Sequence, residues 1–191
     1  MPPLVAFLDA NVLYPAGLRS LLMYLTLEGA FQAKWSADVH EEWIANLLSN
    51  RPDLTRKQLE RTRRLMDSHA PGALVTGYRK LIPAFDLPDL NDRHVLAAAV
   101  RGKATVIVTK NLKDFPAEQV RKFGIVAKHP DEFILELIRI APDQVCQAAE
   151  CHRIDLQNPA RTVPEYLAML EVQGIPQSVA ALRALLGQAG T

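Results

Sequence analysis

The stretch Leu4-Val5-Ala6-Phe7-Leu8-Asp9 determines how the rest of the chain is interpreted. Five apolar residues run without interruption and end at a carboxylate, which is typical of a strand buried on both faces of a parallel sheet. Ligands of open parallel sheets bind outside the carboxyl ends of the strands. We therefore predict a central strand here, with Asp9 at the edge where a functional site is expected.

Strand and helix patterns alternate with short connections up to about residue 129. Further strand patterns cover 31–35, 73–78, 104–109 and 124–127, the last as an edge strand, and amphipathic helical spacing separates them. This alternation predicts an α/β fold, a three-layer α/β/α sandwich around a central, mainly parallel sheet. Beyond residue 129 the pattern is helical only. We predict an α/β domain over 1–129 and a helical C-terminal extension over 130–191 that packs on it.

Composition places the chain among ordinary globular proteins. It has 191 residues, of which 49% are hydrophobic and 23% charged, which argues against disorder. Apolar runs such as 95–100 are far shorter than the roughly 20 residues that a spanning helix needs. With no membrane segment and no signal-peptide pattern at the start, a cytoplasmic location is expected. Cys146 and Cys151 lie about 140° apart on a helix, so we expect two reduced thiols.

Charge is unevenly distributed along the chain. Up to Lys128 there are 18 Lys and Arg against 13 Asp and Glu, whereas the remainder has 4 against 8. A basic helix over 55–68 contributes much of the excess. Such a basic N-terminal part suits a polyanionic substrate, although a solvated basic face is an equally simple interpretation of that helix.

Acidic residues recur where the predicted strands end and the next helices begin. Asp9 follows the first strand, Asp92 stands at the start of the helix before the 104–109 strand, and Asp114 follows that strand. Asp92 falls on the same helical face as apolar Val95 and Leu96, where an unpaired charge is costly. Each aspartate alone is also compatible with a turn or a helix cap. Gathered in one cleft, they would repel one another unless a cation neutralised them.

Carboxylate ligands favour magnesium or manganese over zinc. The histidines show no zinc-ligand spacing, and His94, with Ala97, is predicted to lie on the solvent side of its helix. A further carboxylate could come from Glu41 or Glu42. Helical periodicity does not distinguish between these two glutamates.

Four segments in order along residues 4–128 together resemble the motifs of PIN-domain nucleases, in particular the VapC-type toxins of bacterial toxin–antitoxin pairs. The first and second are Phe7-Leu8-Asp9-Ala10-Asn11-Val12-Leu13 and the helix start Ser36-x-x-Val39-x-x-Glu42. The third is Asp89-x-x-Asp92-Arg93-His94-Val95-Leu96-Ala97-Ala98-Ala99, and the fourth runs from Val106 to Pro116. A single Asp-x-Asn is weak evidence, but four ordered motifs are strong.

The resemblance implies roles for individual residues, and it selects Glu42 over Glu41. The catalytic acids would be Asp9, Glu42, Asp92 and Asp114. The metal, Mg²⁺ or Mn²⁺, would be held by Asp9, Asp92 and Asp114, with Asp89 as an additional acid. Supporting hydrogen-bonding groups would be Asn11, Thr109 and Asn111. The positive charges themselves, apart from the resemblance, suggest contacts to RNA phosphates from Arg61 and Arg64 on the basic helix and from Arg93, Lys110 and Lys113 nearer the acids.

The function implied is metal-assisted hydrolysis of RNA by an endoribonuclease, which leaves a 5′-phosphate and a 3′-hydroxyl. A toxin of this kind would have a protein antitoxin as partner. The acidic C-terminal helices could contact that antitoxin, complete a homodimer, or simply extend the core. The alternative function is a non-catalytic PIN-fold module for RNA binding or assembly. A phosphatase of haloacid-dehalogenase type is disfavoured, because that chemistry needs an aspartate where Asn11 stands.

Overall fold

Five parallel strands form one sheet in the computed structural model, which describes residues 4–189. They are β1 (Val5–Leu8), β2 (Gln32–Ser36), β3 (Leu74–Val75), β4 (Val106–Val108) and β5 (Val126–Lys128). Their order in the sheet is β3-β2-β1-β4-β5. Ala6 of β1 pairs with Ala33 on one side and with Val106 on the other. The predicted α/β fold with a central parallel sheet is therefore confirmed, with β1 central and β5 at an edge.

Two strands are shorter than their apolar runs predict. The 73–78 pattern yields only Leu74–Val75, because the chain turns at Gly77, whose φ is +72°. The 104–109 pattern yields Val106–Val108, and the turn before it has Lys103 at φ 56°. Positive φ is incompatible with an extended strand, so these turns set the strand limits.

Helices connect the strands and follow β5. In chain order they are α1 (Ala10–Leu13), α2 (Ala16–Leu27), α3 (Ala37–Asn50), α4 (Arg56–His69), α5 (Arg93–Arg101), α6 (Ala117–Val120), α7 (Pro130–Ile140), α8 (Pro142–Asp155), α9 (Val163–Glu171) and α10 (Pro176–Ala189). None of the helices within 4–189 is both long enough and apolar enough to cross a membrane.

Helices α3 and α9 begin with side-chain caps. The Ser36 hydroxyl accepts a hydrogen bond from the Val39 N–H at the start of α3. Thr162 and Glu165 form a reciprocal capping box at the start of α9. Such caps satisfy backbone N–H groups that have no partner within the helix.

Helix α5 differs from its prediction. The chain forms a 3-10 turn over Leu90–Asp92 before the α-helix begins at Arg93. Ala97, predicted to face solvent, is fully buried. The prediction was wrong because α5 packs on the sheet and also on the Arg79–Ala84 segment.

The chain divides into two compact units. The first contains the chain up to Tyr14 and Gln32–His129; the second contains Pro15–Phe31 and the helices from Pro130 onward. Residues 15–31, placed in the first domain by the sequence pattern, group with the later helices because α2 packs on α8. The predicted domains, 1–129 and 130–191, stay a prediction.

The second unit is entirely helical. Helix α10 packs on α7 and α9. The buried Asp131 carboxylate accepts hydrogen bonds from the backbone N–H groups of Gln177 (3.1 Å) and Ser178 (2.7 Å) at the start of α10. A carboxylate at a helix N-terminus is favoured by the helix dipole, so Asp131 joins α7 to α10.

Candidate functional site

Asp9 lies at the carboxyl end of β1, and only 5% of its surface is exposed. Its Oδ1 accepts a hydrogen bond from the Ala10 N–H at 2.7 Å. Its Oδ2 accepts two more, from Asn11 Nδ2 and from the Thr109 hydroxyl, both at 2.7 Å. Three donors therefore hold this carboxylate in one orientation.

The same hydrogen bonds join the ends of β1 and β4. Asn11 Nδ2 also lies 2.9 Å from Thr109 Oγ1, and Asn11 Oδ1 accepts the Lys110 backbone N–H at 2.9 Å. The Asn111 N–H donates to Thr109 Oγ1 at 3.0 Å. The three residues predicted to support the site therefore form one network. Asn11 and Thr109 bind the Asp9 carboxylate directly, whereas Asn111 acts through its backbone.

Burial and neighbouring charge make the aspartates costly to ionise. Burial raises the pKa of Asp9, although the Thr109 and Ala10 hydrogen bonds oppose the rise. Burial also raises the pKa of Asp92 to about 7, and nearby carboxylates contribute to that rise. Those carboxylates belong to Asp9, Asp114, Asp89 and Glu42. The structure thus brings the five predicted acids close enough for their charges to interact.

Glu41 and Glu42, which periodicity leaves equivalent, have different surroundings. Exposed Glu41 binds the Arg56 guanidinium, with N···O distances of 2.8 and 3.2 Å. Glu42 lies instead with Oε1 2.6 Å from Nε2 of His94. Only the Glu42 carboxylate therefore contributes to the acidic cluster around Asp92.

His94 is a residue that the sequence interpretation misplaced. Its side chain is only 12% exposed, so the predicted solvent-facing position was wrong. Counting about 100° per residue from Asp92 fails here, because Asp92 belongs to the 3-10 turn and precedes the regular helix. Burial lowers the pKa of His94, but Glu42 and the carboxylates of Asp38 and Asp9 outweigh it, so the pKa is raised. The sequence did contain one signal for a role of His94 in the site, namely its position two residues after Asp92, at the carboxyl edge of the sheet.

The remaining acids lie on short turns. Asp89 is exposed, and its Oδ1 accepts the Asn91 N–H at 2.8 Å, so it also caps the turn before α5. Asp114 lies in the 3-10 turn Leu112–Asp114 that follows β4. Both positions match the sequence-based expectation of acids at strand and helix ends.

Oxygen donors dominate the cluster, which suits a hard divalent cation. The mutual repulsion that raises the pKa of Asp92 is the charge pattern that such a cation relieves. As their side chains are placed, no three His, Cys, Asp or Glu residues between 4 and 189 form a group that could hold a metal ion. The carboxylate oxygens of the cluster are therefore suitable donors for a divalent ion, but within residues 4–189 they are not arranged around one common point.

The predicted RNA-binding cations fall into two groups. Arg61 and Arg64 are exposed on α4. Arg93 directly follows Asp92, and its guanidinium lies 3.7 Å from Asp86. Lys110 follows Thr109, and burial lowers the pKa of its amine, whereas Lys113 is exposed on the turn with Asp114. Arg93 and Lys113 therefore adjoin acids in sequence and Lys110 adjoins Thr109, whereas α4 presents a separate basic surface.

Comparisons with known proteins match both parts of the chain. A PIN domain model matches residues 5–113, and a VapC50 C-terminal domain model matches residues 130–184. A curated protein of Mycobacterium tuberculosis named "Putative ribonuclease VapC50" is 38% identical over 120 residues, which cover 61% of this chain and 70% of the relative. No solved structure matches the chain.

Proposed function

Because the chain belongs to the PIN-domain family, we propose that it is a divalent-metal-dependent endoribonuclease and acts as the toxin of a toxin–antitoxin pair. The observation that carries the proposal is the acidic cluster at the carboxyl edge of the sheet. Burial and four neighbouring carboxylates raise the pKa of Asp92 to about 7. Such an arrangement opposes folding at neutral pH, so the stability of the fold does not explain it. Binding of a cation does explain it.

Asp9, Asp92 and Asp114 would hold Mg²⁺ or Mn²⁺, with Asp89 and Glu42 at the border of the same cluster. A divalent ion bound there would supply a water of lowered pKa and stabilise negative charge on the departing oxygen. Asp9 suits this task because three hydrogen-bond donors already fix its carboxylate. Less reorganisation is then required when the cation binds.

The chain's own cations would orient the RNA. Arg93 follows Asp92, and Lys110 follows Thr109, whose hydroxyl donates to Asp9. Both would offer phosphate contacts close to the scissile bond. Arg61 and Arg64 on α4 would bind phosphates further along the strand. Phosphate contacts fix register and carry no sequence information, so they do not define which RNA is cut.

The partners follow from the same proposal. The substrate would be RNA, and a protein antitoxin would bind the toxin to silence it. The Mycobacterium tuberculosis relative bears the name of a VapC ribonuclease, and similarity to it supports this role. We place the activity in the cytoplasm, where RNA is the available substrate.

The test is cleavage of total RNA by the purified chain in Mg²⁺, in Mn²⁺ and in EDTA. We expect cutting only with a divalent ion, and products with a 5′-phosphate and a 3′-hydroxyl. Asp92→Asn should abolish cutting and leave the fold intact, with equal or slightly higher stability in metal-free buffer, because a repelled carboxylate is removed. Asp53→Asn is the matched control, since Asp53 is exposed and pairs only with neighbouring Arg51 among residues 4–189.

Each contrary result has its own meaning. Cutting in EDTA, or products ending in a 2′,3′-cyclic phosphate, would contradict metal-assisted attack by water. Absence of cutting together with absence of Mn²⁺ binding would favour the non-catalytic RNA-binding module. An equal loss of RNA cleavage in Asp92→Asn and Asp53→Asn would show that the acidic cluster is not the catalytic site.

A further inference from the structure

The Glu42 carboxylate has a close partner on another helix. His94 Nε2 of α5 lies 2.6 Å from Glu42 Oε1 of α3. The imidazole is 12% exposed, whereas the Glu42 side chain is 43% exposed. A well-packed ring therefore contacts a carboxylate that is otherwise open to solvent.

An exposed glutamate is intrinsically mobile. Three side-chain torsions allow many rotamers, and restricting a glutamate side chain to one of them has an entropic cost. Adjacent Glu41 is held by Arg56, whose side chain is itself 52% exposed. The imidazole of His94, with two torsions and little exposed surface, is a much more rigid support than that guanidinium.

The polar contact of the His94 ring is the one with Glu42. Within residues 4–189, Glu42 is the ion-pair partner of His94; both ring nitrogens are buried, and neither makes a hydrogen bond of good geometry, so the Nε2 contact with Glu42 is an ion pair. His94 also lies two residues after Asp92, at the start of α5. The ring therefore connects α3, which carries Glu42, to the first turn of α5, which directly follows Asp92.

We propose that His94 is a positioning residue that holds the Glu42 carboxylate toward Asp9 and Asp92. This inference rests on the proposed function, since it assigns His94 a part in the same metal-dependent site. It acts through Glu42 and contacts neither substrate nor metal. Outer partners of this kind typically contribute about 10- to 100-fold to metal affinity or activity when they orient a ligand.

The experiment is a double-mutant cycle between His94 and Glu42, with two readouts. Mn²⁺ affinity is measured by titration calorimetry without RNA, and kcat and KM are measured for RNA cleavage. We expect His94→Leu to weaken Mn²⁺ binding and lower kcat by about 10- to 100-fold each, with KM little changed. His94→Gln should recover most of the loss, because its amide nitrogen can reach the position of Nε2.

Coupling to Glu42 is the decisive comparison. In a Glu42→Gln background, His94→Leu should cause no further loss of Mn²⁺ affinity, because the carboxylate it positions is gone. His69→Gln is the control for a histidine substitution on an exposed helix surface. If His94→Leu does not fold by circular dichroism, His94→Gln against His94→Asn replaces it, since the shorter amide cannot reach Glu42.

The outcomes separate this inference from the proposed function. A wild-type chain that neither binds Mn²⁺ nor cuts RNA overturns both. A wild-type chain that cuts RNA while His94→Leu binds and cuts equally well overturns only the positioning role. That role is also overturned if His94→Leu lowers Mn²⁺ affinity by the same factor with and without the Glu42 carboxylate.

Discussion

Mild acid should destabilise the second unit through His152 on α8. The ring is 1% exposed, and its Nδ1 lies 3.1 Å from the Tyr166 hydroxyl. Tyr24 stacks on the ring, with centroids 5.2 Å apart. Its Nε2 is buried with no hydrogen-bond partner among residues 4–189. A protonated ring would therefore place a charge and an unpaired donor among aromatic groups.

Burial lowers the pKa of His152 from 6.5 to about 4, and the nearby Asp155 carboxylate only partly opposes this shift. Because the folded-state pKa is depressed, the unfolded chain binds the proton first as the pH falls below about 6.5. The stability contribution is complete above that pH and is lost progressively toward pH 4. Linkage gives a loss of about 2 kcal/mol between about pH 7.5 and pH 5.

The measurement is urea unfolding, followed by far-ultraviolet circular dichroism at both pH values, for the wild type and for His152→Asn. Asn keeps a polar group near Tyr166 but does not titrate. The wild type should lose about 2 kcal/mol more than the variant over this range. The comparison removes the effects of His40, whose pKa burial also lowers, and of His94, whose pKa is raised.

Direct titration by nuclear magnetic resonance gives an independent check. The His152 ring signals, assigned by their absence in His152→Asn, should stay those of the neutral ring down to about pH 5. A titration midpoint near the ordinary 6.5 would refute the assignment of a destabilising buried imidazole. So would an equal loss of unfolding free energy between about pH 7.5 and pH 5 in the wild type and the variant.

Three further predictions concern the acidic site and the basic helix. Glu42→Gln should lower cleavage by about 100-fold or more and exposed Glu41→Gln should change it little; the reverse order would show that the roles of the two glutamates are exchanged. Charge reversal at Arg61 and Arg64 should weaken RNA binding across sequences and reduce the salt slope by about one per lost phosphate contact, as measured by filter binding at several salt concentrations; unchanged affinity would exclude this surface. Thr109→Val removes the hydroxyl that donates to Asp9 and should destabilise the fold by about 1–3 kcal/mol in urea unfolding while lowering cleavage; full activity would show that Asp9 needs no support from Thr109.

Local patterns are sufficient for the framework of the fold. The apolar run ending at Asp9 identifies the central strand, because only a strand covered on both faces tolerates five consecutive apolar residues in this setting. Ser36 and the pair Thr162 and Glu165 mark helix starts, since capping depends on residues three positions apart. Strand limits are predicted less accurately, because they depend on single positive-φ turns such as Gly77.

The site is predictable as far as it depends on the parallel sheet. Parallel strands end at one edge, so the strand pattern alone places Asp9 and Asp114 on the same side of the sheet. The side-chain partners are not predictable in the same way. His94 is misplaced by helical counting because the 3-10 turn at Asp92 shifts the helical phase, and local spacing does not show that residues 15–31 group with the later helices.

Short-range periodicity and the geometry of parallel sheets are enough to establish the α/β class, the central strand, and the carboxylates at its carboxyl edge. Three features emerge only from the folded chain: Glu42 faces the acids while Glu41 turns to Arg56, three donors hold Asp9, and His94 is buried against Glu42. Each of these depends on contacts between residues distant in the chain. Helical spacing describes a residue's position on its own helix, but the neighbouring elements decide which side of that helix is covered.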